Sequence, residues 1–295
     1  MIDIIIAAYN SHKTIVKTLR SIANQENVKD LNVLIVDDCS DENYDNICNF
    51  FSDSINIKTI RLEKNCGPGV ARQVGIENTK NEYIVFIDAD DEFGDSSSIL
   101  DLLNVIKGAD IAFGQMFQES TNQILFHAEC FHGNMYRRSF LCKNNIKFNS
   151  LRSHEDNAFN QLCLCTAKKV TYLEKVVYIY HNQQGSITNT IDFVDNIKLF
   201  IESMNWLFKN IEKQSYINKH YTGMVITAIM VYLYFCYIFS MEEYTFIPQG
   251  MGYLKKQFEI YREYINDSEE LSIYKEYEIV TLPKITFYQF IDIIK

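Results

Sequence analysis

The stretch Tyr83-Ile84-Val85-Phe86-Ile87-Asp88-Ala89-Asp90-Asp91 decides the fold of this chain. Its apolar first half has the pattern of a hydrophobic strand, and this strand ends directly in a turn that brings three carboxylates together. Carboxylate oxygens are the ligands that Mg²⁺ and Mn²⁺ prefer, and substrate phosphates usually complete such sites. The turn 88–91 therefore predicts a metal site. The alternative is an acidic turn that simply caps Ser96-Ser97-Ser98 and the next helix.

Three more apolar runs precede this strand, and helical patterns separate them. We predict strands over 2–8, 31–36 and 55–62, and helices after Asn10-Ser11, around 44–51 and from a glycine loop through 79. Asn10 and Ser11 offer N-cap oxygens for the first of these helices. The resulting βαβαβαβ order predicts an α/β, Rossmann-like fold, with a mostly parallel sheet and helices on both faces.

The second half of the chain has a different pattern. We predict short strands over 111–117, 124–131, 170–173 and 176–180, and aromatic-rich helices after about residue 191. The domains are therefore predicted as 1–190, the α/β domain, and 191–295, a helical extension. The charge-free run 223–241 favours a buried core helix, with a membrane-surface or partner-facing helix and a true span as alternatives.

Polar residues follow the predicted strands where ligands bind such sheets, beyond the carboxyl ends. Asp38, after the second strand, can accept hydrogen bonds from a uracil imide or from ribose hydroxyls. Tyr9, after the first strand, can stack on a base. Either cluster alone would be explained equally well by loop solvation and capping.

The loop Asn65-Cys66-Gly67-Pro68-Gly69 opens the third predicted helix. Its glycines allow close backbone approach, and a helix N-terminus favours an anion. The loop is neither a Walker loop nor GxGxxG, so it is weak evidence by itself. Arg72, one turn into the helix, could reach a phosphate or a neighbouring aspartate.

Taken in order, these motifs resemble family 2 glycosyltransferases of the GT-A fold over roughly the first 190 residues. The resemblance implies an inverting transfer of a hexosyl or N-acetylhexosaminyl group from a nucleotide-diphosphate sugar, most simply UDP-linked, with Mn²⁺ or Mg²⁺. It places Tyr9 and Asp38 at the base, Asp88 at the ribose and Asp90 at the metal. The nucleotide-binding positions that it implies are Ala7, Tyr9, Asp38, Gly67, Arg72, Asp88 and Ala89.

The motif Ser153-His154-Glu155-Asp156-Asn157 resembles the Glu-Asp motif of the same family, which implies that Asp156 is the general base. A single inverting displacement needs one positioned carboxylate to take the acceptor proton. The alternative is that Glu155 and Asp156 only complement the dipole of the helix predicted over 157–166. His181, in a Tyr-x-Tyr-His segment, is a candidate ligand of the metal or diphosphate, with a purely structural role as the alternative.

Two departures from the family pattern keep every carboxylate: Ala7 replaces a common proline, and Gln73 replaces an asparagine. No QxxRW-type motif of processive polymerases occurs in the sequence, which favours transfer of single sugars. Two rival functions stay open. One is a scaffold that binds a nucleotide sugar without turnover, and the other is a nucleotidyltransferase that releases pyrophosphate.

Composition limits the partners and the compartment. The net charge of −10 argues against nucleic acid, and eight scattered cysteines suggest a reducing compartment. The N-terminus lacks the pattern of a signal peptide. We therefore expect a cytoplasmic protein, with the inner membrane face as a possible location. The acceptor could be a glycan, a lipid-linked sugar or a protein, and the C-terminal helices could form a homodimer or meet a membrane surface.

Overall fold

The computed structural model describes residues 2–125, 131–182, 191–239 and 247–264. Its strands are β1 (Ile2–Ala8), β2 (Leu31–Asp37), β3 (Asn56–Arg61), β4 (Tyr83–Phe86), β5 (Glu92–Phe93), β6 (Ile111–Gln118), β7 (Gln123–Leu125), β8 (Asn134–Arg137) and β9 (Val170–Tyr180). Its helices are α1 (Ile15–Ala23), α2 (Asp45–Phe51), α3 (Pro68–Asn78), α4 (Ser98–Val105), α5 (Arg138–Lys143), α6 (Glu155–Thr166), α7 (Phe193–Ile211), α8 (Lys219–Phe239) and α9 (Ile247–Ile260).

The first four strands form the parallel half of the sheet. β1 lies between β2 and β4, and β3 pairs with the outer side of β2. The isoleucines of β1 are fully buried, as expected for a strand with a layer on each face. The carboxyl ends of these strands therefore meet at one edge, where Tyr9, Asp38 and the turn 88–91 follow them.

The rest of the sheet is mixed, and over the described residues its order is β3-β2-β1-β4-β8-β6-β9-β5, with β7 on β6. β8 runs antiparallel to β4 and to β6, whereas β9 runs parallel to β6. The predicted fold class, an α/β sheet with a large parallel part and covering helices, is confirmed.

Several predicted boundaries were wrong. The strands expected over 170–173 and 176–180 are one strand, β9, and its register on β6 shifts around Gly114 and Gln115. The strand expected over 124–131 is described only as β7, since 126–130 lie outside the described residues. β5 and β8 were not predicted, because two and four residues are too few to show a period.

The expected N-cap of α1 was also wrong. The helix begins at Ile15, and the backbone carbonyl of Ser11, rather than a side-chain oxygen, accepts the N–H groups of Thr14 and Ile15. The Ser11 side chain instead meets the buried hydroxyl of Tyr44 at 2.9 Å. This contact ties the loop after β1 to the segment after β2.

The described residues group into two compact units: 2–125 and 131–163 with 167–182, and 164–166 with 191–239 and 247–264. In the second unit, the Phe208 ring of α7 meets the Phe258 ring of α9 edge to face. The side chains described on α8 are mostly buried, as in the core-helix alternative. Whether the units are separate domains with a boundary at 190 stays a prediction.

Among the helices that the structure describes, none has the length and apolar character needed to cross a membrane.

Candidate active site

The loop after β1 is fastened to the loop after β2. Asn10 has a left-handed backbone (φ 51°), and its side chain both accepts the N–H of Asp41 at 2.8 Å and donates to the Asp41 carboxylate at 3.1 Å. Its own N–H donates to Ser40 Oγ at 2.9 Å. Tyr9, directly before it, keeps 52% of its surface exposed, which leaves the ring accessible for stacking. Ala7 lies in β1 opposite Val36 of β2.

Asp38 holds the glycine loop. Its two carboxylate oxygens accept the backbone N–H groups of Cys66 (2.7 Å) and Gly67 (2.8 Å). Burial is the largest influence on Asp38 and raises its pKa, although these two hydrogen bonds act in the opposite direction. Each oxygen keeps a second lone pair, so the carboxylate can still accept a hydrogen bond from a ligand. Gly67 has φ 90°, a conformation that favours glycine.

Arg72 joins the acidic turn to the start of α6. One guanidinium nitrogen donates to Asp88 Oδ1 at 2.7 Å, and another donates to Glu155 Oε1 at 2.8 Å. The guanidinium also lies over the Phe131 ring, 4.5 Å from its centroid. Of the two roles open to Arg72 in the sequence, the structure shows the contact with a neighbouring aspartate.

The three aspartates of the turn lie in different surroundings. Asp91 is fully buried, and its carboxylate accepts the Tyr178 hydroxyl at 2.6 Å and the N–H of His181 at 2.8 Å. The two carboxylate oxygens of Asp88 have different partners: Oδ1 accepts a hydrogen bond from Arg72, and Oδ2 lies 3.2 Å from His132 Nε2. The Asp90 carboxylate receives no hydrogen bond from another of the described residues, so it is available to an added ligand.

These different surroundings give the three aspartates different pKa values. Burial disfavours the charged form of Asp88, but the charges of Arg72 and His132 overcome it and lower its pKa well below the usual range. Burial, with the charge of Asp88 second, raises the pKa of Asp90 to about 6 and that of Asp91 to about 7. A bound cation would lower the pKa of all three carboxyl groups, because positive charge favours ionised carboxylates.

The capping alternative for the acidic turn finds no support. Asp95, four residues beyond the turn, accepts the N–H of Ser97 at 2.9 Å and the hydroxyl of Ser98 at 3.2 Å. Asp95 therefore accepts the hydrogen bonds at the start of α4. The turn 88–91 instead contacts Arg72, His132 and Tyr178.

The donor atoms that come together for a cation include a residue that the sequence did not suggest. Atoms of Asp88, Asp91 and His132 lie within 4.8 Å of one another. Asp90 belongs to the same turn but not to this cluster. His132 follows no strand end and lies in no recognised motif, so only tertiary structure brings it to the turn. Oxygen donors with one imidazole fit Mg²⁺ or Mn²⁺.

His181 lies beside this turn with both ring nitrogens already engaged. Nδ1 lies 2.7 Å from Glu119 Oε2, and Nε2 lies 2.9 Å from Glu92 Oε2. Burial alone would lower the pKa of His181, but hydrogen bonds to these carboxylates raise it. Lys17 also pairs with Glu92, at 2.6 Å. These contacts favour the structural alternative for His181 over a metal ligand.

Asp156 lies in the first turn of α6, next to Glu155. Its Oδ1 accepts the N–H of Asn157 at 2.8 Å, and its charge acts on Arg72. The helix begins two residues earlier than predicted, so both acids are inside it. Through its contacts with Glu155 and Asp88, Arg72 thus connects the start of α6, which bears the candidate base, with the acidic turn. These two segments are far apart in sequence.

The chain matches the sequence model of glycosyl transferase family 2 over residues 3–159, more than half of its length, and it belongs to this family. The family predicted from the motifs is therefore confirmed, and with it the class, glycosyltransferase.

Named relatives agree with this assignment. The chain is 26% identical over 255 residues to the poly(ribitol-phosphate) beta-N-acetylglucosaminyltransferase TarS of Staphylococcus aureus, covering 75% of this chain and 44% of TarS. It is 28% identical over 231 residues to the succinoglycan biosynthesis protein ExoO of Rhizobium meliloti, covering 66% of this chain and 65% of ExoO. The chain therefore spans less than two thirds of the length of either relative.

Solved structures show the same fold. S. aureus TarS 1–349 in complex with UDP-GlcNAc matches with a TM-score of 0.71 at 22% identity, covering 90% of this chain and 81% of that one. A mannosyltransferase of Pyrobaculum calidifontis, PcManGT, in complex with GDP-Man and Mn²⁺, matches with a TM-score of 0.58 at 12% identity, covering 94% and 87%. At these identities the likeness concerns the fold.

Proposed function

We propose that this chain is an inverting glycosyltransferase that moves a sugar from a UDP-linked donor to an acceptor hydroxyl, with Asp156 as general base. The observation that carries the proposal is the position of Arg72 between Asp88 and Glu155, at 2.7 and 2.8 Å. This contact links a turn suited to a nucleotide diphosphate with the helix start that bears an acidic pair.

The proposed reaction is a single displacement. The acceptor oxygen forms a bond to the anomeric carbon on the face opposite the leaving group, and the bond from that carbon to the β-phosphate oxygen breaks. The diphosphate leaves with the electron pair, and the hydroxyl proton passes to the Asp156 carboxylate. Asp156 is only partly buried, so an acceptor can approach it.

A divalent cation is part of the proposal. Asp90 would hold it, with Asp88, Asp91 and His132, whose donor atoms lie within 4.8 Å of one another, as further donors. When bound, such an ion neutralises the charge that develops on the departing diphosphate. The solved structure of PcManGT, which has a similar fold, contains Mn²⁺, and this supports Mn²⁺ as the first ion to test.

We place the nucleotide site at the carboxyl ends of β1 and β2, at the same edge of the sheet as the acidic turn. The exposed Tyr9 ring would stack on the base, and Asp38 would accept its imide N–H. Ala7, Gly67 and Ala89 would line the site through their backbones. UDP-GlcNAc is the first donor to test, because TarS was solved with it.

The setting of the reaction is also proposed. Residues 1–190 would form the catalytic domain and 191–295 a helical extension. The eight cysteines are scattered along the sequence and form no disulfide-like framework, which supports the reducing environment of a cytoplasm. The acceptor would be a hydroxyl of a glycan, a lipid-linked sugar or a protein.

The test compares wild type with Asp156→Asn in UDP release from UDP-sugars, with a panel of glycan acceptors. Loss of the base should lower kcat by roughly 10²- to 10⁴-fold while leaving donor affinity nearly unchanged. Asp195→Asn is the matched control, since Asp195 also lies in the first turn of a helix, α7, and is exposed. Turnover of Asp156→Asn equal to that of wild type would refute the proposal.

A further inference from the structure

The first turn of α6 carries two acids that face different surroundings. Asp156 is partly exposed, whereas the Glu155 side chain is only 6% exposed and lies against Arg72. A buried carboxylate held by a guanidinium is closed to an acceptor. We propose that Glu155 is a positioning residue, which fixes the first turn of α6, and with it Asp156, to Arg72 and through Arg72 to Asp88. This inference rests on the proposed function, because it concerns the placement of the proposed base.

The planar guanidinium of Arg72 can hold Glu155 and Asp88 at a fixed distance from each other. Different nitrogens of one planar guanidinium meet Glu155 and Asp88, so the two carboxylates are held at a set spacing. The Phe131 ring lies below the guanidinium at 4.5 Å, which limits its remaining freedom. A lysine, with one compact ammonium, would keep the charge and lose this spacing.

The approach of α3 to the start of α6 depends on a glycine. A Cβ atom at Gly69 would lie 2.5 Å from the carbonyl oxygen of Asn149 and 2.8 Å from Glu155 Cγ. Real Cβ atoms do not come so close to other atoms, so a side chain at 69 would push the two segments apart. Gly69 lies one turn before Arg72 and therefore allows the contact between Arg72 and Glu155.

The entry into α6 is itself unusual. The residue before Glu155, His154, has a left-handed backbone with φ 61°, and it does not cap the helix through its side chain. Such a conformation is unfavourable for a residue with a side chain and persists only where surrounding contacts fix it. The ion pair of Glu155 with Arg72 is such a contact, directly at the first helical residue.

The test measures kcat and KM for the donor in Glu155→Gln beside wild type and Asp156→Asn. The amide keeps the shape and one acceptor oxygen but cannot carry the negative charge that pairs with Arg72, so the comparison is made above pH 7, where Glu155 is ionised. We expect kcat for transfer to fall about 10- to 100-fold, with the donor KM within about threefold, since the pair of Arg72 and Asp88 stays. A purely structural role would instead lower the amount of folded enzyme and leave kcat per folded molecule unchanged.

Arg72→Lys and the double variant Arg72→Lys/Glu155→Gln complete the cycle. If the two residues act as one link, the losses in kcat are not additive, and the double variant is little worse than the poorer single variant. Arg72→Lys also tests the link if Glu155→Gln does not fold. Additive losses, or wild-type kcat in Glu155→Gln while Asp156→Asn is inactive, would overturn this inference and leave the proposed function standing. A wild-type chain without transferase activity would overturn both.

Discussion

The hydroxyl of Tyr178 lies 2.6 Å from Oδ2 of Asp91, and both side chains are fully buried. The same hydroxyl accepts the backbone N–H of Asp88 at 3.2 Å. One phenol oxygen near the end of β9 thus fixes both ends of the acidic turn. Contacts within the protein therefore fix the shape of the turn, which is the condition for a preorganised site.

Replacing Tyr178 with phenylalanine should destabilise the fold. The change removes the donor of a buried carboxylate and the acceptor of a buried N–H, which costs about 1–3 kcal/mol in free energy of unfolding. Chemical denaturation measures the loss. Tyr9→Phe is the control, because the Tyr9 side chain is half-exposed and its change should stay within about 0.5 kcal/mol. Equal stability of the two variants would show that the Tyr178 hydroxyl does not hold the turn.

Tyr9→Ala should weaken nucleotide binding without unfolding the protein. Stacking of a base on an aromatic ring contributes about 1–3 kcal/mol, so the Kd for UDP should rise roughly 5- to 150-fold. Tyr172→Ala is the matched control: its side chain is 53% exposed, close to the 52% of Tyr9, but it lies near the amino end of β9. Isothermal titration with UDP separates the two, and equal losses would argue against a stacking site at Tyr9.

Gly69→Ala and Gly75→Ala form a pair on the same helix. Both should lower stability by about 1–3 kcal/mol through overpacking, since an added Cβ would lie 2.5 Å from Asn149 O in one case and 2.4 Å from Ile5 Cγ2 in the other. Only Gly69→Ala should also lower the kcat of the folded enzyme, because only Gly69 lies against Glu155. Equal activity per folded molecule would show that this contact is structural alone.

Stability should depend on pH through Glu155. Burial, followed by the charge of Asp156, raises the pKa of Glu155 from 4.5 to about 7, and the charge and hydrogen bond of Arg72 oppose this only in part. The folded protein then binds this proton more tightly than the unfolded chain, so the stabilisation is complete below about pH 4.5 and is lost as the pH rises to about 7. Unfolding of wild type and Glu155→Gln across this range should show wild type losing stability relative to the variant. If the free energies of unfolding of the two proteins changed in parallel with pH, the raised pKa of Glu155 would be contradicted.

The sequence was sufficient for the parallel half of the fold because long apolar runs there alternate with helical patterns. The same runs placed Tyr9, Asp38 and the acidic turn at one edge, since parallel strands bring their carboxyl ends together. β5 and β8 were missed because such short strands carry no period and form only when neighbouring strands supply partners.

The site could be predicted only where its residues follow a strand or belong to a motif. His132 does neither, and it reaches Asp88 because β8 lies beside β4. The contacts of His181 with Glu119 and Glu92 likewise join segments that are distant in sequence. Arg72 was placed at the site from its position in α3, but its choice of carboxylate partners depends on tertiary packing.

The most direct test of the central claim is a thermal-shift comparison of UDP, UDP-sugars and other nucleotides, each with and without Mn²⁺. A ligand that binds only the native state raises the unfolding midpoint by mass action. The account predicts a Mn²⁺-dependent rise with UDP or one UDP-sugar, and loss of that rise in Asp90→Asn. No rise with any nucleoside diphosphate, or a rise with nucleoside triphosphates alone, would contradict it.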